Sequence, residues 1–178
     1  DNIKKSRFIA VIAPCLNERE VLQQLRELHN EHANANHIAF AYRIKTGQGI
    51  SYRFHDAGEP TGTAGKPIFQ HLEGKQLINA LVAVIRYFGG IKLGSGGLTR
   101  AYGNAAKRVL EAAELYPYIE LTIVPLTIAY QQMQALEYFL KKSGGHIIKQ
   151  DFAEQIEVQI ELPAEQVVAL KLAFPDNY

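Results

Sequence analysis

The first half of the chain alternates short apolar runs, typical of strands, with apolar positions at helical spacing. Asn17 can cap a helix in which Glu20 occupies the capping-box position. Further helices are predicted over 67–74 and 98–115. Strands are predicted over 8–12, 37–45, 50–54 and 77–88, and the LVAVI run inside the last is apolar enough to be buried on both faces of a sheet.

The second half predicts the order βαββα. Strands are expected over 119–130, 147–152 and 156–162, and helices over 131–142 and 164–174. The alternation in IEVQIEL predicts a strand with one buried and one exposed face. A ferredoxin-like βαββαβ unit has one more strand, which we expect beyond Tyr178 in the complete protein.

Charge divides the chain near Pro117. Residues 1–116 carry fifteen Lys and Arg against ten Asp and Glu, whereas residues 117–178 carry four against eight. The proline also interrupts the preceding helical pattern. We therefore predict an α+β (mixed α/β) protein with a basic domain at 1–116 and an acidic, ferredoxin-like domain at 117–178 whose last strand is missing from the sequence.

Composition limits the classes of protein to which this chain can belong. The chain is 47% hydrophobic and 21% charged, typical of a globular protein, and no apolar run is long enough to cross a bilayer. The single cysteine, Cys15, cannot form an intrachain disulfide, which favours a cytoplasmic protein. No Cys, His and carboxylate spacing predicts a metal site, and no motif predicts a cofactor.

The segment DAGEPTGTAGKP, residues 56–67, is the first of two glycine-rich loops. It contains the Gly65-Lys66 pair, but Pro60 and Pro67 stand where a Walker A motif needs glycine and a hydroxyl residue. The loop is therefore not a P-loop.

Two interpretations of this loop stay open. Asp56 and Glu59 can serve as a catalytic acid and base if their geometry converges. Alternatively, Asp56 organises a turn, Gly58 and Gly62 supply unusual backbone angles and Pro67 begins a helix. The content of glycine and proline favours the turn.

The second loop, RYFGGIKLGSGGLTRAY, leads from a buried strand into a helix. We expect free N–H groups at residues 95–98 to face the same space as the positive end of the helix dipole, which suits an anion. Thr99 replaces the third glycine of a dinucleotide fingerprint, so a Rossmann site is not predicted.

Basic and aromatic residues surround this loop, since no acidic residue occurs between Gly74 and Leu110. That composition suits phosphate contact and base stacking. Alternatively, Arg86 and Arg100 pair with Asp56 and Glu59 and tie the two loops together. The candidate anion or nucleic-acid contacts are Lys66, Arg86, Lys92, Ser95, Gly96, Gly97 and Arg100.

Three motifs that occur in order along the chain resemble the IMPACT family, and especially its bacterial, YigZ-type members. They are IKKSRF from Ile3, DAGEPTGTAGKP and VIRYFGGIKLGSGGLTRAY. The resemblance implies an N-terminal domain similar to the second domain of a small-subunit ribosomal protein and to the core of RNase PH. It implies a C-terminal domain similar to a ferredoxin-like domain of elongation factor G.

The resemblance also implies a cytosolic protein connected with translation, and no established reaction. For the eukaryotic members of the family, it implies an inhibitory role in the amino-acid starvation response through binding of the activator of a translation-factor kinase. Two hypotheses follow: a non-catalytic protein that binds RNA or the ribosome and regulates translation under stress, or an enzyme acting on a phosphorylated or peptide-like substrate through Asp56 and Glu59. The first is favoured, and the acidic second domain is a candidate surface for a protein partner.

Overall fold

The computed structural model describes all 178 residues, Asp1–Tyr178. The chain divides into two compact units, Asp1–Glu114 and Leu115–Tyr178, close to the domain boundary predicted from the charge balance. Each unit contains its own antiparallel sheet. The predicted α+β class is therefore confirmed.

The first unit has five strands and three helices. Its sheet order is β1-β2-β5-β3-β4, so that β5 is central and β4 forms an edge. The strands are β1 (Asn2–Ile3), β2 (Ser6–Pro14), β3 (His37–Thr46), β4 (Gly49–His55) and β5 (Ala80–Tyr87), and the helices are α1 (Glu18–Glu31), α2 (Gly65–Gly74) and α3 (Gly94–Ala112).

Helices cover both faces of this sheet because the residues of β5 alternate between two cores. Leu81, Ala83 and Ile85 pack with α1, whereas Val82 and Val84 pack with α2 and α3. Burial on both faces was predicted from the LVAVI run and is confirmed. Arg86 follows in the row of Val82 and Val84, so that a charged side chain enters the α2 and α3 layer.

Helix α1 begins as the sequence predicts. The Asn17 carboxamide oxygen accepts a 2.9 Å hydrogen bond from the Glu20 N–H, and the Glu20 carboxylate accepts a 2.7 Å bond from the Leu16 N–H. Glu20 thus reaches one residue beyond the N-cap. Both bonds satisfy backbone donors at the helix start.

Helix α3 begins at Gly94, four residues before the predicted start at Leu98. The GSGG segment has low helix propensity, yet Leu93 and Leu98 are buried in the core and hold this turn in place. Of the N–H groups expected to be free at residues 95–98, those of Ser95 and Gly96 lie in the first turn, where helix donors are unpaired, whereas Gly97 and Leu98 lie beyond that turn.

The second unit has the predicted order βαββα. Its strands are β6 (Leu121–Ile128), β7 (His146–Phe152) and β8 (Ile156–Pro163), in the sheet order β6-β8-β7, and its helices are α4 (Met133–Ser143) and α5 (Val167–Ala173). Both helices share one apolar core with the inward residues of β8, namely Ile156, Val158, Ile160 and Leu162.

The end of the chain returns to β6. The Thr127 N–H donates a 2.9 Å hydrogen bond to the backbone oxygen of Asn177, and the Asn177 side chain donates to the Thr127 oxygen at 2.7 Å. A fourth strand completing a ferredoxin-like sheet stays a prediction. None of the five helices has the length and apolar character required to cross a membrane.

Candidate functional site

Asp56 organises the first glycine-rich loop. Its Oδ2 accepts the Gly62 N–H at 2.9 Å, and its Oδ1 accepts the N–H groups of Ala64 and Gly65 at 3.2 and 2.9 Å. Burial alone would raise the pKa of Asp56, but these donors outweigh burial and lower the pKa below its ordinary value. The carboxylate thus satisfies the donors at the start of α2.

Glycines give this loop its path. Gly58 and Gly62 have positive φ angles of 84° and 79°, which other residues rarely adopt. A Cβ on Gly65 would lie 2.5 Å from the backbone nitrogen of His55, so only glycine lets α2 begin against the end of β4. These features match the turn interpretation of the loop.

Glu59 and Arg86 form a buried ion pair between the two glycine-rich loops. Arg86 Nη1 lies 2.7 Å from Glu59 Oε1, and the two residues are only 4% and 8% exposed. Tyr102 of α3 donates a further 2.7 Å hydrogen bond to the same oxygen. Burial, and then this bond to the carboxylate, raise the pKa of Tyr102 well above its ordinary value.

The guanidinium of Arg86 also contacts two aromatic rings and a serine. It lies 5.6 Å from the centroid of the Phe8 ring and 5.4 Å from that of Phe88. Its Nη2 donates to Ser6 Oγ at 3.3 Å, whereas its buried Nε has no hydrogen-bond partner. This matches the alternative in which Arg86 ties the loops together.

A cleft of about 390 Å³ opens beside this pair, at the start of α3. Among the candidates from the sequence, Glu59, Arg86, Lys92 and Ser95 line it. The rest of the lining consists of His37, Pro60, Phe88, Leu93, Gly94 and Leu98. The two loops are therefore neighbours in space, as expected. No side chain caps the start of α3.

The remaining candidates, Asp56, Lys66, Gly96, Gly97 and Arg100, lie outside the lining of this cleft. Arg100 also forms no salt bridge with Asp56 or Glu59, so the alternative in which both arginines pair with these carboxylates holds only for Arg86 and Glu59. Arg100 follows the first turn of α3 as an exposed side chain, with its guanidinium close to Gly96. Lys66, Lys92 and Arg100 are all exposed and form no salt bridge, so their charges are not neutralised within the protein.

Three contributors to this network were missed in the sequence. His37 donates from Nδ1 to the carbonyl of Ala57 at 2.8 Å, which leaves Nε2 facing Glu59 Oε1 at 3.6 Å. Ser6 and Tyr102 lie inside the motifs of the family resemblance, but their contacts span 80 and 43 residues of sequence. The local sequence gave no signal for the Ser6 contacts, since Ser6 stands between Lys5 and Arg7.

No group of three or more His, Cys, Asp or Glu side chains is arranged to hold a metal ion. Instead, the Asp56 carboxylate accepts hydrogen bonds from the N–H groups at the start of α2, whereas no side chain does so at the start of α3. Chemically, the cleft offers hydrogen-bond donors and positive charge to a ligand. This suits an anion.

Two family models match the chain. The model described as Impact N-terminal domain matches residues 4–110, which include both glycine-rich loops, and a domain of unknown function, DUF1949, matches residues 126–177. The chain belongs to the IMPACT family. The resemblance inferred from the three motifs is thereby confirmed.

Relatives of this IMPACT family protein match it over most of their length. An IMPACT family member of Haemophilus influenzae is 36% identical over 174 residues, covering 95% of this chain and 82% of the relative. YigZ of Escherichia coli, also an IMPACT family member, is 32% identical over 177 residues, covering 99% and 87%. A solved crystal structure of a hypothetical protein shares 32% identity at a TM-score of 0.70, covering 99% of this chain and 86% of that chain.

Proposed function

We propose that this IMPACT family protein binds RNA, including ribosomal RNA, through phosphate contacts at the start of α3. The contrast between two helix starts supports this proposal. Asp56 supplies a carboxylate to the start of α2, whereas the start of α3 has no side-chain cap and opens into the cleft lined by Arg86 and Lys92. At the start of α3, a phosphate oxygen can accept hydrogen bonds from the backbone N–H groups, in the role that the Asp56 carboxylate has at the start of α2.

Charge around the cleft supports an anionic ligand. Glu59 is the only carboxylate in its lining, and Arg86 neutralises it at 2.7 Å. Lys92 is exposed and makes no ion pair, and Arg100 extends the same character along α3. A surface of this kind attracts the RNA backbone irrespective of base sequence.

An aromatic side chain adds a second kind of contact. Phe88 lines the cleft and is 45% exposed, with one side of its ring against the Arg86 guanidinium. An exposed ring beside cationic groups is typical of sites that stack unpaired bases. We infer that single-stranded or looped RNA is the preferred ligand.

The geometry supports an enzyme less well. Asp56 uses both carboxylate oxygens to accept backbone N–H groups, and Glu59 is bound by Arg86 and Tyr102. An acid and base must exchange protons with a substrate within hydrogen-bond reach. Asp56 cannot do so without breaking its bonds, which leaves Glu59, held through Oε1, without the second free carboxylate that the pair would need. A binding module is therefore the better account.

We further propose that the protein acts in the cytoplasm as a regulator of translation under stress. Family membership supports a connection with translation, and ribosomal RNA supplies the ligand that the basic surface fits. The acidic second unit, with four Lys and Arg against eight Asp and Glu in residues 117–178, repels RNA and suits a protein partner with a basic surface.

Fluorescence anisotropy with a short labelled single-stranded RNA tests the proposal, and co-sedimentation with purified ribosomes extends it. Lys92→Ala/Arg100→Ala should weaken binding and flatten its dependence on salt by about 0.7 units of log–log slope for each lost contact on a single strand. The matched control is Lys141→Ala/Lys142→Ala, which removes two exposed lysines from α4. Equal affinities of the two variants and the native protein would contradict the proposal.

A further inference from the structure

Lys4 and Lys5 form an unusual turn. They are the only two residues between β1 and β2, since Ile3 pairs with Ser6 across the hairpin. Both have positive φ angles, 45° and 66°. Two-residue hairpin turns with positive φ at both positions strongly favour Asn-Gly, because a longer side chain crowds the backbone in this conformation.

The turn lies against the edge of the cleft, through the side chain of Ser6 and the backbone of Lys5. Ser6, fully buried, accepts hydrogen bonds from Arg86 Nη2 and from the Gly89 N–H, both at 3.3 Å. A Cβ on Gly89 would lie 2.1 Å from the carbonyl carbon of Lys5. The turn therefore packs directly on the loop that carries Lys92.

Neither lysine is neutralised within the protein. Both are exposed and form no salt bridge. Asp1, the carboxylate nearest to them in sequence, pairs instead with Arg108. The lysines thus add two positive charges beside Gly89, at a place where the backbone conformation itself disfavours lysine.

We propose that the Lys4–Lys5 turn is a second phosphate-binding element, which continues the contact of an RNA backbone beyond the α3 cleft. The inference rests on the proposed function and extends it to residues outside the cleft. An ammonium group fits a phosphate as a mobile point charge, so a turn that presents two of them needs no further preformed pocket. The lysines serve binding at the expense of the stability that Asn-Gly would give the hairpin.

The test replaces the turn by its favoured sequence. Lys4→Asn/Lys5→Gly should raise the melting temperature by about 3 °C. Its affinity for a short labelled single-stranded RNA should fall several-fold, and the log–log salt slope should decrease by about 1.4, which corresponds to two phosphate contacts on a single strand. Lys4→Arg/Lys5→Arg keeps both charges and should keep the native affinity.

The outcomes distinguish failure of the turn inference from failure of the proposed function. Native affinity in Lys4→Asn/Lys5→Gly, with weakened binding in Lys92→Ala/Arg100→Ala, overturns the turn inference and leaves the cleft as the site. Native affinity in both variants, or no binding of RNA by the native protein, overturns both. A lower melting temperature of the Asn-Gly variant contradicts the argument from strain, and Lys4→Asn alone then repeats the affinity comparison with Lys5 still packed on Gly89.

Discussion

Arg86 Nη1 donates a 2.7 Å hydrogen bond to Glu59 Oε1 inside the first unit, where neither residue is more than 8% exposed. The bond joins β5 to the first glycine-rich loop, and Tyr102 brings α3 to the same oxygen. Three elements that border the cleft therefore depend on one carboxylate. The main role of the Glu59–Arg86 pair is therefore to hold the walls of the cleft in place.

Removing one partner of this pair should destabilise the fold. Arg86→Met leaves the Glu59 carboxylate buried without its cationic partner, beside only the Tyr102 hydroxyl and His37 Nε2. We expect a loss of about 3–5 kcal/mol in the free energy of unfolding. Glu59→Leu/Arg86→Met should lose much less than the sum of the single changes. Urea denaturation followed by circular dichroism measures both.

The exposed pair of Lys107 and Glu111 gives the matched control. Their charged atoms lie 3.9 Å apart on the surface of α3. Lys107→Ala should change the free energy of unfolding by less than about 1 kcal/mol. If Arg86→Met costs as little as this control, the buried pair does not hold the loops together.

Asp56 should make stability depend on pH in the acidic range. Its folded-state pKa lies below its unfolded value, so the carboxylate contributes stability above about pH 4, which is lost as the pH falls through the folded-state pKa. Asp56→Asn should cost about 1–2 kcal/mol at neutral pH, as for a lost helix cap. The difference from the native protein should shrink on acidification.

Denaturation of the two proteins in parallel, from neutral to strongly acidic pH, isolates this effect, because other titrating groups cancel in the difference. A difference that stays constant over the whole range would show that Asp56 does not cap α2 as a carboxylate. A difference that grows on acidification would reverse the predicted sign.

Many elements of the first unit can be predicted from local sequence. The features that cannot be predicted depend on contacts between residues far apart in the chain. The LVAVI run predicts the central strand because its residues must be apolar on both faces. The start of α3 at Gly94 could not be predicted, since tertiary burial of Leu93 and Leu98 overrides the poor helix propensity of GSGG. Arginine is rarely buried, so the basic pattern alone placed Arg86 at the surface.

The residue types of the first loop predicted its turn, and Asp56, Gly58 and Gly62 take the roles that their chemistry favours. The pairing of Glu59 with Arg86 was one of two open alternatives, because charge complementarity does not fix distance. The Lys4–Lys5 turn gave no signal, since lysine is a poor residue for positive φ.

Gly65 and Gly74, both in α2, should respond differently to alanine. A Cβ at Gly65 would meet the backbone of His55 at 2.5 Å, whereas nothing lies within 4 Å of a Cβ at Gly74. Gly65→Ala should therefore destabilise by more than about 2 kcal/mol, and Gly74→Ala should be neutral or slightly stabilising. Comparable melting temperatures for the two variants would contradict the close approach of α2 and β4.

Cys15 should be unreactive in the folded protein. Its side chain is fully buried, and burial, followed by the Glu20 carboxylate, raises its pKa to about 11. The neutral thiol is a poor nucleophile. Labelling with an aromatic disulfide reagent at mildly alkaline pH should be slow in buffer and fast in concentrated guanidinium chloride, whereas fast labelling in buffer would show that this core opens readily.

Phe88 and Lys92 should contribute to RNA binding in separable ways, because stacking releases no counterions whereas phosphate contact does. Phe88→Ala should weaken binding of a single-stranded RNA by about 1–3 kcal/mol with the slope of log affinity against log salt unchanged. Lys92→Ala should weaken binding less at high salt than at low salt and should flatten that slope. Double-stranded RNA, whose bases are already stacked, should be insensitive to Phe88→Ala but sensitive to Lys92→Ala. If Phe88→Ala flattens the slope as Lys92→Ala does, its effect comes through displacement of the adjacent Arg86 guanidinium, which lies 5.4 Å from the ring, and the stacking role is wrong.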